Sequence, residues 1–336
     1  MTSIPVLLGI GLVGTVVVWA GSSALERSSG RIARHYGLPR LIQGAVLAAV
    51  GSSAPEIAST IIATLRYGEF ELGIGVIVGS AVFNILVIPA LSALLADGTL
   101  DTGRDVVYKE AQFYMLSVAA LFLIFALAVI YYPTDGAGLQ GNVTRPLAMS
   151  LLLLYGLYIF VQYLDVSDAN TPSTTLTRRS ILTQWGLLLG GVALIIAGVE
   201  GLVFSAIGLG DAFGTPSFLW GLTVVAAATS LPDALISVAA ARIDEPAVSL
   251  GNVLGSNVFD LLVAIPAGVI LAGTTPVSFT ATVPMMAFLV VATIILFGFA
   301  RTGMEITNRE ATTMLALYVG FVGWLLLESV GIVDII

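Results

Sequence analysis

The chain contains no cysteine, a single histidine (His35) and a single lysine (Lys109) among its 336 residues. Without cysteine there is no disulfide, no thiol nucleophile and no zinc–thiolate centre, and nothing marks a redox compartment. Charge is also scarce. Only 10% of residues are charged against 57% hydrophobic, and the mean hydropathy is +1.02. A soluble domain of this length could not hide so much apolar surface, so the composition specifies a polytopic membrane protein. The net charge of −8 comes from acids dispersed among short loops, and no basic cluster offers a nucleic-acid surface. The first residues, MTSIPVLLGIG, carry no basic residue before their apolar run, and they read as a first membrane helix rather than a cleaved leader.

Apolar stretches bounded by turn or charged residues predict ten spans, near 4–25, 40–65, 72–95, 112–132, 146–164, 180–206, 217–241, 247–272, 279–300 and 309–333. The segment 165–179, with Asp165, Asp168, Pro172, Arg178 and Arg179, separates a first five-helix unit (1–164) from a second (180–336). Loops after odd-numbered spans carry Arg27, Arg31, Arg34, Arg40, Arg104, Lys109, Arg178, Arg179, Arg242, Arg301 and Arg309. The opposite loops carry only Arg66 and Arg145. Basic residues stay on the cytoplasmic side, which predicts a multi-pass cell-membrane protein with both termini extracellular and the linker cytoplasmic.

One phrase occurs twice. GSSAPE (51–56) is followed by GSAVFN (79–84), and TSLPD (229–233) by GSNVFD (255–260). Superposed, Gly21 meets Gly198, Gly44 meets Gly221, Ser53 meets Ser230, Pro55 meets Pro232 and Glu56 meets Asp233. After a one-residue deletion, Gly75 meets Gly251, Gly79 meets Gly255, Ser80 meets Ser256 and Asn84 meets Asp260. Five spans per copy is an odd number, so the second copy enters the membrane from the other side. The expected architecture is an all-α membrane protein of ten helices in two inverted repeats whose motifs meet near the bilayer centre.

Glu56, Asp233 and Asp260 fall deep within spans, where a carboxylate costs a few kcal/mol unless paired, hydrated or bound to a cation. No Lys, Arg or His lies within a span interior, so a bound cation is the natural partner. Pro55 and Pro232 lack an N–H, which predicts freed carbonyls at Gly51 and Ala228. Ser52, Ser53, Thr229, Ser230, Ser80, Ser256, Asn84 and Asn257 add hydroxyl and amide oxygens. Gly75, Gly79, Gly251 and Gly255 predict tight packing of the third and eighth spans on the second and seventh. Oxygen donors without sulfur or imidazole suit hard cations such as Ca2+ and Na+. Three carboxylates would balance one divalent ion or several monovalent ones, and their repulsion when empty penalises an unloaded carrier.

At these residues the sequence resembles the cation/calcium exchanger superfamily. GSSAPE with GSAVFN, and TSLPD with GSNVFD, most resemble the potassium-dependent sodium/calcium exchanger branch. The resemblance implies an antiporter with ion sites between the repeats, working by alternating access. It implies Glu56 and Asp233 as principal Ca2+ ligands shared with Na+, with Ser52 and Thr229 adding oxygens. Ser53, Ser230, Ser80 and Ser256 would line flanking Na+ sites, with the Ala49 and Ala226 carbonyls as weaker candidates. Asn84 and Asp260 would complete the centre, and the potassium-dependent branch ties the acid matching Asp260 to K+. Asp233 departs from the Glu found in many microbial relatives. The short linker leaves no room for a large cytoplasmic regulatory domain.

The expected function is therefore exchange of Ca2+ for Na+, with K+ as a further candidate ion. The partners are inorganic cations and lipid; no cofactor, nucleic acid or protein partner is expected. A Ca2+/H+ antiporter using the same carboxylates is the alternative, because buried carboxylates can titrate near neutrality. A passive cation channel is a weaker reading. No nucleophile–base pair in the spans suggests an enzyme. GLGD (208–211) matches a string of intramembrane aspartyl proteases, but Asp211 is expected in an exterior loop. Asp97, Asp101 and Asp105 read as a solvated loop rather than a calcium loop. Glu200, near the exterior end of the sixth span, is expected to reach the interface rather than an ion entrance.

Overall fold

The computed structural model describes residues 2–37, 49–96, 99–104, 106–134, 139–165, 177–243 and 245–329. The first repeat comprises α1 (Ile4–His35), α2 (Ala49–Ser52), α3 (Ala54–Tyr67), α4 (Phe70–Leu95), α5 (Ala111–Tyr131) and α6 (Arg145–Asp165). The second comprises α7 (Arg178–Phe213), α8 (Ser217–Trp220), α9 (Ala226–Arg242), α10 (Pro246–Phe259), α11 (Ile265–Ala272), α12 (Phe279–Arg301) and α13 (Asn308–Ser329). Wider π turns at Val106–Glu110, Gly221–Val225 and Asp260–Ala264 lead into α5, join α8 to α9 and join α10 to α11. Among the described residues nine of the resulting helices are long and apolar enough to cross a membrane. The remaining span is the second, described from Ala49 onward as α2 and α3; the expected start at 40 lies outside the described residues.

Two helices overrun their expected ends. The first span continues from 25 to His35, so Arg27, Arg31 and Arg34 stand on helix and not in a loop. The sixth runs from Arg178 to Phe213, which places both linker arginines in its first turn and Asp211 in its last, rather than in loops. Hydropathy marks where a helix leaves the lipid; backbone hydrogen bonding carries it further, and charged side chains on that extension remain solvated. Of the three spaced aspartates, Asp101 lies in a strand and its carboxylate accepts from the Gly103 N–H at 3.0 Å, while Asp97 and Asp105 fall outside the described residues.

The inversion is written in the contacts of α1 with α7. A Cβ on Gly14 would come within 2.8 Å of the Gly198 carbonyl, and one on Gly21 within 2.8 Å of the Gly191 carbonyl. Residue numbers rise on one helix as they fall on the other, so equivalent helices of the two repeats run antiparallel. Only glycine allows two backbones to approach so closely. Two short sheets repeat the exchange. β1 (Thr99–Asp101) pairs with β4 (Glu305–Thr307), and β2 (Gln140–Thr144) pairs with β3 (Thr274–Ser278), both antiparallel. Each sheet takes one strand from either repeat.

The centre belongs to α4, apolar all round and buried along nearly its whole length, as such a helix must be. Gly75 and Gly79 of α4 lie against the seventh span; a Cβ on Gly79 would stand 2.0 Å from the Leu222 carbonyl. In the second repeat Gly251 and Gly255 show no such approach among the described residues. The segment that repeat symmetry would place against them, around 41–45, lies outside those residues. The peripheral helices turn apolar side chains outward, with Leu12 70%, Leu153 75% and Val319 69% exposed, as a lipid-facing ring requires.

Candidate cation site

The chain breaks where the first motif predicts. Ser53 interrupts the second span with φ −88° and ψ 6°, and Pro55, which has no N–H to lose, sits in the first turn of α3. The break points the N-terminus of α3 into the protein interior, with Glu56 in its first turn, where the helix dipole favours negative charge. The second motif behaves differently. Pro232 lies inside an unbroken α9, so the matching opening at Ser230 is absent. Irregularity in this repeat falls instead in the π turns, one of which begins at Asp260. Such turns re-aim side chains and recur at functional sites.

The two motifs converge. Ser52, Ser53, Glu56, Ser80, Asn84, Thr229, Ser230, Asp233, Ser256, Asn257 and Asp260 are all at most 2% exposed. The hydroxyls of Ser52 and Ser256 lie 2.9 Å apart, and those of Ser80 and Ser230 2.8 Å apart. Ser80 also reaches Glu56 Oε1 at 3.5 Å, and Thr229 approaches the same carboxylate. Asn84 donates to Asn257 Oδ1 at 2.9 Å, and Asn257 in turn donates to the Ala81 carbonyl at 3.3 Å. Asp233 accepts from Asn252 at 3.5 Å and has Ser256 and Ser52 beside it. Thr229 donates to the Ala226 carbonyl at 3.1 Å, the usual back-bond of a membrane threonine, which occupies one lone pair of that oxygen. Ala49 opens α2, but its side chain lies outside the described residues.

Several buried oxygens are left over. Glu56 Oε2, both carboxylate oxygens of Asp260, Asn84 Oδ1 and Ser53 Oγ have no hydrogen-bond partner. Ser53 nevertheless lies beside Asp260. The single ion pair among the described residues, Arg66–Glu200, lies elsewhere. Unpaired buried acceptors are costly, and a cation satisfies them in a way that no described side chain does. Among the described residues no three Asp, Glu, His or Cys side chains are grouped closely enough to hold a metal ion by themselves. Asp260 feels the charge of Glu56 and, more weakly, of Asp233, and the serine and asparagine oxygens around them are the neutral donors available to complete a coordination shell.

Three neighbours went unrecognised in the sequence. Asn252 bridges Asp233 to Ser237. Tyr114 of α5 is fully buried near Asn257, Thr293 and Asp260. Glu26 of α1 lies against Gly51. None is duplicated between the repeats, and self-comparison is blind to what occurs once. A helical spacing signal did exist for Asn252, one turn before Ser256. Glu200 is tied down, with Arg66 Nε 3.1 Å and the Tyr67 hydroxyl 2.5 Å from the same carboxylate oxygen.

Each motif helix thus pairs a hydroxyl with a neighbouring span of the other repeat, Ser52 of α2 with Ser256 of α10 and Ser230 of α9 with Ser80 of α4. The family described as sodium/calcium exchanger protein matches residues 6–164 and 183–327. The chain belongs to this family. The chain is 30% identical over 315 residues to an uncharacterized membrane protein of Methanocaldococcus jannaschii, covering 93% of this chain and 96% of that one. Against the sodium/calcium exchanger MaX1 of Methanosarcina acetivorans it is 26% identical over 341 residues, covering 92% and 95%. It superposes on the sodium–calcium exchanger NCX_Mj soaked with 10 mM Na+ and 10 mM Sr2+ with a TM-score of 0.64 and 26% identity, over 94% and 97% of the two chains. The chain is thus an ion-transport protein of ten transmembrane helices in two inverted repeats.

Proposed function

We propose that the protein is a secondary antiporter that exchanges Ca2+ for Na+ across the cell membrane by alternating access. The observation that carries this reading is the set of buried, unpartnered carboxylate oxygens on Glu56 and Asp260, set among hydroxyl and amide side chains with no cationic side chain among the described residues beside them. Glu56 and Asp233 act as the principal Ca2+ ligands. Ser52, Ser53, Ser80, Ser230 and Ser256 supply hydroxyls for Na+, and Thr229 and the Ala49 and Ala226 carbonyls assist. Asn84 and Asp260 flank the centre, with Asp260 the position for K+ if the carrier uses it. The paired serines support Na+ as counter-ion, since a proton needs no coordination shell. The functional units are 1–164, the cytoplasmic linker 165–179 and 180–336, with both termini extracellular.

Proteoliposomes loaded with Ca2+ test the reading. An imposed Na+ gradient drives Ca2+ flux, and a pH gradient without Na+ does not. Flux driven by pH alone assigns the carboxylates to protons instead, and single-channel conductance steps assign the protein to the channels.

A further inference from the structure

Glu26 is a carboxylate that neither motif contains. It stands on α1 one turn beyond Ser22, so the two side chains share a helix face. Gly51, first residue of the broken motif, packs directly upon it; a Cβ there would come within 3.3 Å of Glu26 Cγ. Glu26 Oε1 is shielded from solvent and has no hydrogen-bond partner, and the fully buried hydroxyl of Ser22 has none either. The strongest charged influence on Glu26 is Asp233, ahead of Arg27 next in the chain. Because α1 packs on both α2 and α9, the two carboxylates belong to the same region of the bundle, and the guanidinium beside Glu26 in the chain, Arg27, is exposed. Unlike Asp233, which is 2% exposed, Glu26 is only half-buried. It is a partly exposed acid at the edge of the enclosed cluster, toward the end of the protein where α1 runs out into water with Arg31 and Arg34 exposed.

We propose that Glu26 and Ser22 form an outlying position for a hard cation, Na+ or Ca2+, through which the ion passes between that water and Asp233. Carboxylate and hydroxyl oxygens are the donors such ions take. A fixed negative charge at a narrow entrance concentrates cations there and offers a ligand to an ion that is leaving the Asp233 carboxylate. Gly51 leaves room for the carboxylate at the mouth of the broken helix. The inference rests on the exchanger reading above and adds a site on one face only, because the repeat counterpart of Glu26 is Val203, an apolar residue.

The test uses the full chain in proteoliposomes of sorted orientation, with half-saturating Ca2+ measured separately at each face for wild type, Glu26→Gln, Glu26→Asp and Ser22→Ala. Glu26→Gln is expected to raise the half-saturating concentration about tenfold at the face where α1 ends, the loss of one charged contact, and to leave the other face unchanged. Glu26→Asp restores most of the affinity, and Ser22→Ala shows a smaller loss at the same face. Equal weakening at both faces, or none at either in a wild type that exchanges, overturns this inference alone. A wild type that moves no Ca2+ overturns the exchanger reading and this inference with it. If Glu26→Gln does not yield folded protein, an unaltered Ser22→Ala overturns the proposed position.

Discussion

Ser256 shares its hydroxyl hydrogen bond, at 2.9 Å, with Ser52, the residue before the one that repeat symmetry assigns to it. The counterpart pair, Ser80 with Ser230, shows the assignment: Ser256 is the repeat image of Ser80, and Ser53 that of Ser230. Ser53 occupies the break in the second span and lies beside Asp260 instead. The one-residue slip exists because one copy of the motif is broken and the other is continuous.

That slip separates two adjacent serines by effect. Ser52→Ala and Ser256→Ala each remove one partner of the same bond, so the double variant should lose little more than either single. The coupling should be about 1 kcal/mol in Na+ half-saturation of Ca2+ flux. Ser53→Ala should add independently to Ser256→Ala. Independence of Ser52 and Ser256 would refute the pairing.

Neutralising the acids should divide them by role. Glu56→Gln and Asp233→Asn are each expected to weaken Ca2+ binding by about 2 kcal/mol or more, roughly thirtyfold, the scale of a lost charged contact. Asp260→Asn is expected to spare part of the Na+-driven flux and to abolish any K+ dependence, measured with the K+ gradient varied alone. Retention of K+ dependence in Asp260→Asn would remove that residue from a K+ role.

Backbone proximity makes a sharper prediction for stability. Gly79→Ala puts a methyl group 2.0 Å from the Leu222 carbonyl, and neither backbone has room to retreat. Its cost should reach several kcal/mol, seen as loss of monodisperse protein or a large fall in Tm. Gly186→Ala on α7 meets nothing within 4 Å and should stabilise slightly, by up to about 1 kcal/mol of helix propensity.

At Glu200 the expected interface position becomes a small polar clasp. Arg66 is 67% exposed, so Arg66→Ala should shift stability by less than about 1 kcal/mol. Glu200→Ala also deprives the Tyr67 hydroxyl of its acceptor and should cost more, read as the larger drop in Tm in detergent. Both variants should retain Na+-driven Ca2+ flux; loss of flux in Glu200→Ala would make it part of the ion path.

Repeat matching made Glu56, Asp233, Asn84, Asp260 and the serines legible in the chain, because duplication preserves what both halves need. Glu26, Asn252 and Tyr114 lie outside it: each occurs once, and each reaches the site from a helix position that only packing places there. Hydropathy located ten spans because lipid imposes one composition on every residue that faces it. It misplaced the ends of α1 and α7, because those extensions answer to hydrogen bonding and water.

By itself, then, the sequence determined membrane residence, ten crossings, two copies in opposed senses and an oxygen-rich centre. These follow from solvent and from repetition, properties that each residue carries locally. Only the tertiary structure decided that the copies are unequal. The helix breaks at Ser53 and not at Ser230, and Ser52 takes the place of Ser53 in the hydroxyl pair with Ser256. Both motifs contain a proline; which helix opens depends on the backbones and side chains packed around it, and those differ between the halves.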